Sequence, residues 1–356
     1  MAVMKMYKDK LQHNYEFLDK TFKENGIEWA VVSKMLCGNK LFLKELINLG
    51  IKEICDSRIS NLKAIKEINP DVQTVYIKPP AKRAIPSVIK YADVSFNTEL
   101  ETMKNLSIEA KKQNKTHKVI IMIELGDLRE GVMGENLIDF YESVFELPNL
   151  VITGIGSNLN CLYGVMPSED KLIQLSLYKQ LIEAKFNRKI PWVTGGTSVA
   201  FPLLVHHRIP KGINHFRIGE TLFFGNNLVT KGPMEHMQQD VFKLYTEIIE
   251  IQEKPKVPMG MLEENPSGEV FTVNEEDYGK TSYRAIIDVG LLDIATDFII
   301  PEDPHIEITG ASSDMIVLDL GETNENYKVG DLVAFKLKYM GALGLLNSNY
   351  IEKQVV

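Results

Sequence analysis

The sequence of 356 residues predicts an α/β fold, a (β/α)8 TIM barrel followed by a C-terminal all-β domain. Helical and extended patterns alternate, with one unit for roughly every 20 to 35 residues, and eight short apolar strands fit before Gly225. Eight such units are the number that closes a parallel barrel. After about residue 240 the helical pattern stops and strand-like runs follow one another. We therefore predict a barrel domain over residues 1–235 and a β domain over residues 236–356.

The elements of the barrel follow in order along the chain. An amphipathic helix over residues 9–24 ends at Gly26, and the apolar run 27–33 then predicts a buried strand. Short apolar runs predict the other seven strands, and segments with apolar residues every three or four positions predict the helices. The strands are expected at residues 52–55, 72–77, 92–96, 119–125, 150–157, 191–194 and 213–218, and the helices at 41–49, 59–68, 85–91, 99–112 and 169–185.

The second domain is predicted from strand-like runs separated by turns. Strands are expected at residues 242–251, 283–289, 305–309, 315–320 and 331–337, with a loop at 253–260. For the first domain, an open doubly wound sheet is the alternative to a barrel. A dinucleotide-binding sheet of that kind would carry G-x-G-x-x-G after its first strand, and this chain does not. The barrel is therefore the favoured interpretation.

The composition is that of an ordinary globular chain with a sizeable core, since 44% of the residues are hydrophobic and 25% are charged. A formal net charge of −8 argues against a nucleic-acid or anionic-membrane partner, because those surfaces bind basic patches. Cys37, Cys55 and Cys161 form no CxxC pair, so neither a disulfide scaffold nor a zinc site is expected. With no export signal and no apolar stretch of about 18 residues, the sequence predicts a cytoplasmic protein without a membrane span.

Lys34 directly follows the first predicted strand, at the end where a barrel collects its chemistry. A lysine there can point into a site, and burial would favour the neutral amine that a Schiff base with a carbonyl cofactor requires. The alternative is a strand-end lysine whose ammonium reaches solvent or pairs with an acid. Polar residues at the ends of other strands bear on this choice.

Two polar clusters follow the fifth and sixth strands. Arg129, in the segment 125–131, could clamp a carboxylate with its planar fork, or it could be an exposed loop arginine. Asn158 lies in the uncharged, hydrogen-bonding segment 156–161. Because the ends of barrel strands face the same mouth, residues that are distant in sequence can meet there.

Two glycine-containing turns follow the seventh and eighth strands. Gly196, Thr197 and Ser198 combine a glycine with two hydroxyls before a predicted helix, which is typical of a phosphate cradle and equally of a tight turn with a helix cap. Arg217 ends the last strand, and Gly219 opens the next turn. A Schiff-base lysine with phosphate turns after strands seven and eight is an arrangement that suits pyridoxal phosphate (PLP) in a barrel.

These residues resemble the motifs of the alanine racemase-like family of fold type III PLP enzymes, most closely its ornithine racemase-like branch. The resemblance covers nearly the whole chain, and the order and spacing of the motifs are more specific than any single motif. The motifs are Val32-Ser-Lys34-Met-Leu-Cys-Gly38, Asp56-Ser-Arg58, Gly126-Asp-Leu-Arg129-Glu-Gly131, Gly195-Gly-Thr-Ser198, Phe216-Arg-Ile-Gly219-Glu220 and Gly310-Ala-Ser-Ser-Asp314.

The resemblance implies a role for each matching residue. Lys34 would carry the cofactor and act as one catalytic base, and Arg217 would hydrogen-bond the pyridine nitrogen. Arg129 and Asn158 would bind the substrate, together with Asp314 from the partner subunit of a homodimer. The phosphate would contact Gly196, Thr197, Ser198, Gly219, Glu220 through its backbone, and Tyr339.

Three features depart from the family pattern. The segment Met35-Leu-Cys-Gly38 lacks the phosphate-binding tyrosine that follows the lysine in alanine racemases. Leu291 stands where alanine racemases carry the tyrosine that serves as second base, and Met122 stands where some of them carry a carbamylated lysine. Leucine cannot move a proton, so a racemase that uses two bases needs another group here. The candidates are Cys161, Tyr163, Asp293 and Tyr350.

The resemblance implies a PLP-dependent amino-acid racemase, with ornithine as the favoured substrate and alanine or a broad range of amino acids as the alternative. A D-threonine aldolase-like lyase would require a metal, and no convincing His/Cys ligand cluster stands out in the β domain, so no metal is expected. A non-catalytic PLP carrier would resemble the barrel alone, whereas this chain adds a β domain. The expected partners are a small amino acid and a second copy of the chain.

Overall fold

The computed structural model describes residues 2–264, 268, 270–324 and 326–356. The chain divides into two compact units. The barrel unit comprises Lys8–Val241, and the β unit combines residues 2–7 with Phe242–Val356. Within the described ranges, no helix is long and apolar enough to span a bilayer.

Eight parallel strands form a closed barrel in the barrel unit. Each strand pairs with the next along the chain, and the last pairs with the first, where Ile218 lies opposite Val31. All eight lie where the sequence predicts strands, so the predicted (β/α)8 barrel is confirmed. If β1 denotes Val3–Met6 of the β unit, the barrel strands are β2 (Glu28–Val32), β3 (Glu53–Asp56), β4 (Gln73–Tyr76), β5 (Val94–Asn97), β6 (His117–Met122), β7 (Leu150–Gly156), β8 (Trp192–Thr197) and β9 (His215–Ile218).

Helices alternate with these strands and bury one face each. The first helix buries Leu11, Leu18 and Phe22, and the second is capped by Asn39, whose side chain accepts the Phe42 N–H at 3.1 Å. The helices are α1 (Lys8–Glu24), α2 (Lys40–Asn48), α3 (Ile59–Ile68), α4 (Ile85–Tyr91), α5 (Leu100–Lys112), α6 (Leu137–Phe145), α7 (Glu169–Phe186), α8 (Phe201–Val205) and α9 (Glu220–Phe224). A small hairpin of β10 (Asn226–Asn227) and β11 (Gly232–Pro233) follows them.

The barrel strands bury both apolar and polar side chains. Strands β2 to β6 contribute an apolar cluster of Ala30, Cys55, Val75, Val94, Phe96, Ile120 and Met122. Strands β8 and β9 bury Thr194, His215 and Arg217, and β3 buries Asp56. A buried charge is costly unless it is paired and hydrogen-bonded, so Arg217 marks a candidate site.

The β unit is built around an antiparallel sheet. Its further strands are β12 (Phe242–Pro255), β13 (Thr281–Ile287), β14 (Ile299–Pro301), β15 (Glu307–Ala311), β16 (Ile316–Asp319), β17 (Leu332–Leu337) and β18 (Glu352–Val355), and α10 (Tyr339–Asn347) precedes β18. The central order is β14, β17, β12, β13, β16, β15. Strand β1 pairs antiparallel with β12, where Met6 lies opposite Phe242, and parallel with β18.

Four elements of the β unit lie outside the sequence-based expectation: β1, β14, β18 and α10. The three strands have only three or four residues, too few for an alternating pattern to stand out. Helix α10 contains Gly341, which lies so close to Phe298 that a Cβ atom would be 2.5 Å from its carbonyl oxygen. Strand β12 runs to Pro255, into the expected loop. The sequence-based boundary placed residues 2–7 with the barrel, but the pairing of β1 groups them with the β unit.

Candidate active site

Lys34 lies in a tight turn at the carboxyl end of β2. Ser33 is buried, and Lys34 begins a short 3-10 helix, Lys34–Leu36. Cys37 and Gly38 follow with φ angles of 50° and 74°, left-handed conformations that turn the chain towards α2. The Lys34 side chain itself is exposed, so the turn rather than burial fixes its position.

Asp56, a buried carboxyl group at the end of β3, supports this turn. Its Oδ2 accepts a hydrogen bond from the Ser33 hydroxyl at 2.8 Å, and its Oδ1 accepts one from the Asn61 amide at 3.0 Å. Asn61 packs against Gly38, where a Cβ atom would lie 2.7 Å from Asn61 Oδ1. Burial raises the pKa of Asp56 to about 6, although the hydrogen bonds oppose this rise. Asp56 thus supports both ends of the Lys34 turn.

The turn after β9 lies beside the Lys34 turn, because β9 pairs with β2. The Ser198 hydroxyl oxygen accepts the backbone N–H groups of Gly219 at 3.2 Å and Thr221 at 3.4 Å. Burial raises the pKa of the half-buried Glu220, and the charge of Lys34 lowers it in part. One hydroxyl and two N–H groups therefore converge near the lysine, a donor set that suits a phosphate group.

Strand β8 runs through the other predicted cradle residues and ends at Thr197. A Cβ atom on Gly196 would lie 2.3 Å from the Phe216 ring, so the packing of β8 against β9 already requires a glycine there. Ser198 is the residue of this segment whose side chain reaches the turn after β9. Contacts of Gly196 and Thr197 with a cofactor stay a prediction.

Arg217 is only 3% exposed and is fixed by four hydrogen bonds. Its Nη1 donates to the backbone oxygen of Thr194 at 2.6 Å and to the Thr194 hydroxyl. Its Nη2 donates to the Ser157 carbonyl at 2.8 Å and to Asn158 Oδ1 at 2.7 Å. Burial lowers the pKa of Arg217, yet a guanidinium stays charged at any working pH. Its fifth N–H, on Nε, donates to no group among the described residues and is left for a ligand.

Thr194 continues the polar contacts through the barrel. Its hydroxyl hydrogen-bonds with His215 Nδ1 at 2.8 Å, and His215 Nε2 lies 3.2 Å from Glu53 Oε1. Gln73 donates to the other Glu53 oxygen at 2.6 Å. Sequence reasoning missed His215 and Glu53, since both stand at the amino-terminal ends of their strands, where a barrel site is not expected.

Arg129 lies in the loop after β6 and pairs with its neighbour Glu130. Nε and Nη2 of Arg129 donate to the two carboxylate oxygens of Glu130, the latter at 2.6 Å. Glu130 Oε1 also accepts from the Asn158 amide, whose oxygen accepts from Arg217. Glu130 raises the pKa of Arg129 above its usual range. The structure thus joins three predicted residues through Glu130, to which sequence reasoning assigned no role.

Asp127 connects the loops that carry these side chains. Its carboxylate accepts four backbone N–H groups, at 2.9 to 3.2 Å, from residues 161, 162, 163 and 165 of the loop after β7. Burial raises the pKa of Asp127, but the four N–H groups lower it below its usual value. In the same loop as Asp127, a Cβ atom on Gly131 would lie 2.2 Å from the Glu124 nitrogen, so only glycine closes this loop. An acid beside the predicted clamp arginine is the signal that could have identified Asp127.

Two candidates for the second base belong to the barrel unit. Cys161 is exposed, and its ionised thiol would raise the pKa of both Arg129 and Arg217, so it lies near the two arginines. Tyr163, in the same loop, is exposed. No group of three or more His, Cys, Asp and Glu side chains in the described ranges is arranged to hold a metal ion.

The other predicted residues belong to the β unit. Asp293 accepts a hydrogen bond from Ser348, and Tyr350 is exposed. The Leu291 N–H donates to the Ser312 carbonyl at 3.0 Å, Asp314 accepts from the Ser313 hydroxyl at 2.9 Å, and Tyr339 begins α10. The parts that these residues play in a site stay predictions.

A closed barrel with an amine, an anion-suited turn and a buried arginine at the carboxyl ends of neighbouring strands defines a class of site that binds a phosphorylated aromatic cofactor. The family described as "Alanine racemase, N-terminal domain" matches residues 7–227. This chain therefore belongs to the alanine racemase family.

Relatives of this chain include two racemases of amino acids with a second amino group. The chain is 36% identical over 349 residues to the ornithine racemase of Acetoanaerobium sticklandii, with 98% of both chains covered. It is 30% identical over 344 residues to the lysine racemase of Thermotoga maritima, with 97% of this chain and 95% of that protein covered. A solved alanine racemase from Bartonella henselae with covalently bound pyridoxal phosphate has a TM-score of 0.73 at 15% identity, covering 100% of this chain and 99% of that chain, and shares its fold.

Proposed function

We propose that this protein is a PLP-dependent amino-acid racemase that acts on ornithine. The proposal rests on the geometry of Arg217, a buried guanidinium on β9, the strand that pairs with β2 beside Lys34. Four hydrogen bonds fix Arg217, and its Nε–H is left to donate. The identities of 36% and 30% with proteins named ornithine racemase and lysine racemase support the activity and a substrate with a distal ammonium.

The residues of the barrel unit fit PLP. Lys34 offers the amine that forms a covalent link with an aldehyde. The Ser198 hydroxyl and the N–H groups of Gly219 and Thr221 suit the phosphate. Arg217 offers a donor to the pyridine nitrogen, and because arginine does not release its proton, that nitrogen stays unprotonated.

Each side chain then has one task in the reaction. Bound PLP supplies the electron sink that acidifies the C–H bond at the α-carbon of the amino acid. Arg129 binds the substrate carboxylate, and Asn158, which donates to the same Glu130 carboxylate as Arg129, also contacts the substrate. The Lys34 amine takes or returns the α-proton on one face of the carbon. A second base acts on the other face, for which Cys161, Tyr163, Asp293 and Tyr350 are the candidates.

We further propose that the protein is a homodimer and works in the cytoplasm. Asp314 of one copy would complete the site of the other, and light scattering on the full chain measures the mass of the assembly. All three cysteines are free thiols, which is typical of a reducing compartment.

Lys34→Ala tests the cofactor anchor. The full-length protein is loaded with PLP and reduced with borohydride, and the labelled peptide is identified by mass spectrometry. We expect a pyridoxyl group on Lys34 in the wild type and none in the variant. The rate of L-ornithine racemisation, measured as the loss of optical rotation, should fall by about 10³-fold or more, because the variant loses both a nucleophile and a base.

Lys40→Ala is the matched control, because Lys40 is a nearby exposed lysine that pairs with Glu67 at 2.7 Å outside the site. It should be labelled at Lys34 and should be as active as the wild type. A stable pyridoxyl label in Lys34→Ala would refute the anchor. In a comparison of L-ornithine, L-lysine, L-alanine and L-serine, we expect the highest kcat/KM for ornithine, and faster turnover of alanine would refute the substrate assignment.

A further inference from the structure

Glu130 makes more contacts with the site than an ordinary loop carboxylate would. Its side chain is 13% exposed, whereas that of its partner Arg129 is 37% exposed. Its two oxygens accept Nε and Nη2 of Arg129, and Oε1 also accepts the amide of Asn158. Most exposed ion pairs contribute little because water competes for both charges. A carboxylate that is mostly shielded and shared between two loops is a different case.

The Glu130 carboxylate fixes which way the Asn158 amide points. On one side of this amide stands a carboxylate, which only accepts hydrogen bonds, and on the other stands Arg217, which only donates. The orientation that satisfies both partners has Nδ2 towards Glu130 and Oδ1 towards Arg217. Without the carboxylate, a flipped amide would place N–H groups against the guanidinium and remove one of the four hydrogen bonds of Arg217.

Glu130 also selects which edge of Arg129 is available. A guanidinium can bind a carboxylate along the edge formed by Nε and one Nη, or along the edge formed by the two Nη atoms. Glu130 takes the first edge. The second edge keeps Nη1 with both of its N–H groups, and Arg129 is held so that this edge is the one offered to another carboxylate.

We infer that Glu130 is a positioning residue of the proposed racemase: it orients Arg129 for the substrate carboxylate and, through Asn158, Arg217 for the cofactor nitrogen. The inference rests on the proposed function. Arg129, which binds the carboxylate, and Arg217, which binds the cofactor, are then parts of one hydrogen-bonded unit. A disturbance at Glu130 should therefore reach both ends of that unit.

Glu130→Gln tests the inference in the full-length protein, because glutamine has the same shape but places a donor against Arg129. We expect the KM for L-ornithine to rise about tenfold, the order expected when a charged hydrogen bond is lost, with a smaller change in kcat. PLP should also dissociate several-fold faster on dialysis. Arg129→Ala should raise KM without this faster release, whereas Asn158→Ala should speed the release and add little more to it in combination with Glu130→Gln.

Glu135→Gln is the matched control. Glu135 is an exposed carboxylate that lies, like Glu130, between β6 and α6, and the substitution removes the same charge. It should leave KM and cofactor release unchanged. Unchanged KM and release in Glu130→Gln, or equal changes in both variants, would overturn the inference.

Backbone hydrogen exchange of the cofactor-free protein separates this inference from the proposed function. In Glu130→Gln, exchange should quicken at residues 128–131 and 156–159, and in Glu135→Gln it should not. If the wild type racemises no amino acid, the proposed function fails, and the exchange measurement still decides whether Glu130 joins the two loops. Unchanged exchange in Glu130→Gln would overturn that joining.

Discussion

Asp56 is a buried carboxylic acid whose hydrogen-bond partners are a hydroxyl, a side-chain amide and a backbone N–H. These neutral donors stabilise a carboxylate less than water does, so burial raises the pKa of Asp56 to about 6. The folded state therefore holds the Asp56 proton more tightly than the unfolded chain does. Asp56 stabilises the fold most at a pH where it is protonated.

Asp56→Asn should change how stability depends on pH. A folded pKa of about 6, above the ordinary 3.8, gives stability that is present at low pH and is lost as the pH rises through about 6. Asparagine does not titrate, so the free energy of unfolding of the variant relative to the wild type should rise by about 2 kcal/mol between about pH 4 and about pH 8. Urea unfolding followed by tryptophan fluorescence reports the barrel unit, which contains Trp29 and Trp192.

Asp139→Asn, an exposed substitution on α6, is the control for the loss of one carboxylate, and its difference from the wild type should not rise by the amount expected for Asp56→Asn over the same pH range. If the difference between Asp56→Asn and the wild type were independent of pH, Asp56 would have to keep an ordinary pKa in the folded protein. Asp56 would then support the Lys34 turn through its hydrogen bonds alone.

Single residues were predictable where a simple geometric rule applied. Barrel strands end at one mouth, and that rule selected Lys34, Arg129, Asn158 and Arg217, the last three of which the structure joins by hydrogen bonds. Glu130 escaped prediction because a charged loop residue is usually solvated. Its shielding and its two partners depend on how two loops meet, which no spacing in the sequence encodes.

The loops after β6 and β7 are elements that depend on each other. Asp127 of the first loop accepts four N–H groups of the second, so the second loop has its backbone hydrogen bonds satisfied by a side chain rather than by its own chain. The loop after β7 carries Asn158, Cys161 and Tyr163. Its conformation, and hence the position of a second base if one lies there, follows from the carboxylate of Asp127.

Asp127→Asn should release the loop after β7. The amide has the shape of the carboxylate but offers N–H groups to two of the four donors, which leaves those donors unpaired. We expect the barrel unit to lose about 1 to 3 kcal/mol in its free energy of unfolding. Hydrogen exchange at residues 161, 162, 163 and 165 should become at least several-fold faster, as measured by mass spectrometry of the overlapping peptides.

Asp170→Asn, in the first turn of α7, is the control for the loss of one carboxylate in this part of the chain. It should leave the exchange of residues 161–165 as in the wild type. Protection of these amides that survives Asp127→Asn would mean that the loop is ordered by other contacts.

Prediction of elements succeeded where the repeat was long and failed where it was short. The eight barrel strands and six of the helices between them recur with a regular period, and each of these was placed within a few residues of its observed bounds. Helices α6, α8 and α9, of five to nine residues, were not predicted. Strand β14 has three residues, and α10 is apolar on most of its surface, so neither gives a clear period. Tertiary pairing, rather than local pattern, creates these elements.

The two units of the molecule do not follow each other simply along the chain. Strand β1 belongs to the β unit, and the whole barrel unit lies between β1 and its antiparallel partner β12. The end of the helical pattern near residue 240 predicts a boundary at residues 235 and 236, and the observed units divide between Val241 and Phe242. That pattern could not predict the other boundary, because a four-residue strand ahead of a helix carries no compositional signal of its own.

Met6→Ala tests this division of the molecule in the full chain. Met6 is fully buried, and truncation of such a side chain costs about 2 to 5 kcal/mol. Because Met6 lies opposite Phe242 in the sheet, we expect faster hydrogen exchange in β12, β17 and β18 and little change in the barrel strands. A boundary that placed residues 2–7 in the barrel would predict the reverse.

Leu11→Ala is the counterpart of this variant, since Leu11 is 1% exposed and belongs to α1 of the barrel unit. It should quicken exchange in the barrel strands and lower the unfolding midpoint seen by tryptophan fluorescence. Equal effects of both variants on both units would show that the molecule unfolds as one cooperative body.

The position of β1 sets the order in which the molecule can assemble on a ribosome. Its partners β12 and β18 are translated only after the entire barrel sequence, roughly 10 to 70 s later at ordinary rates of synthesis. Met4 and Met6 have no sheet to enter during that interval. The barrel strands are all available first, so the barrel can fold on the nascent chain, and the β unit closes afterwards around a strand that was made before the barrel.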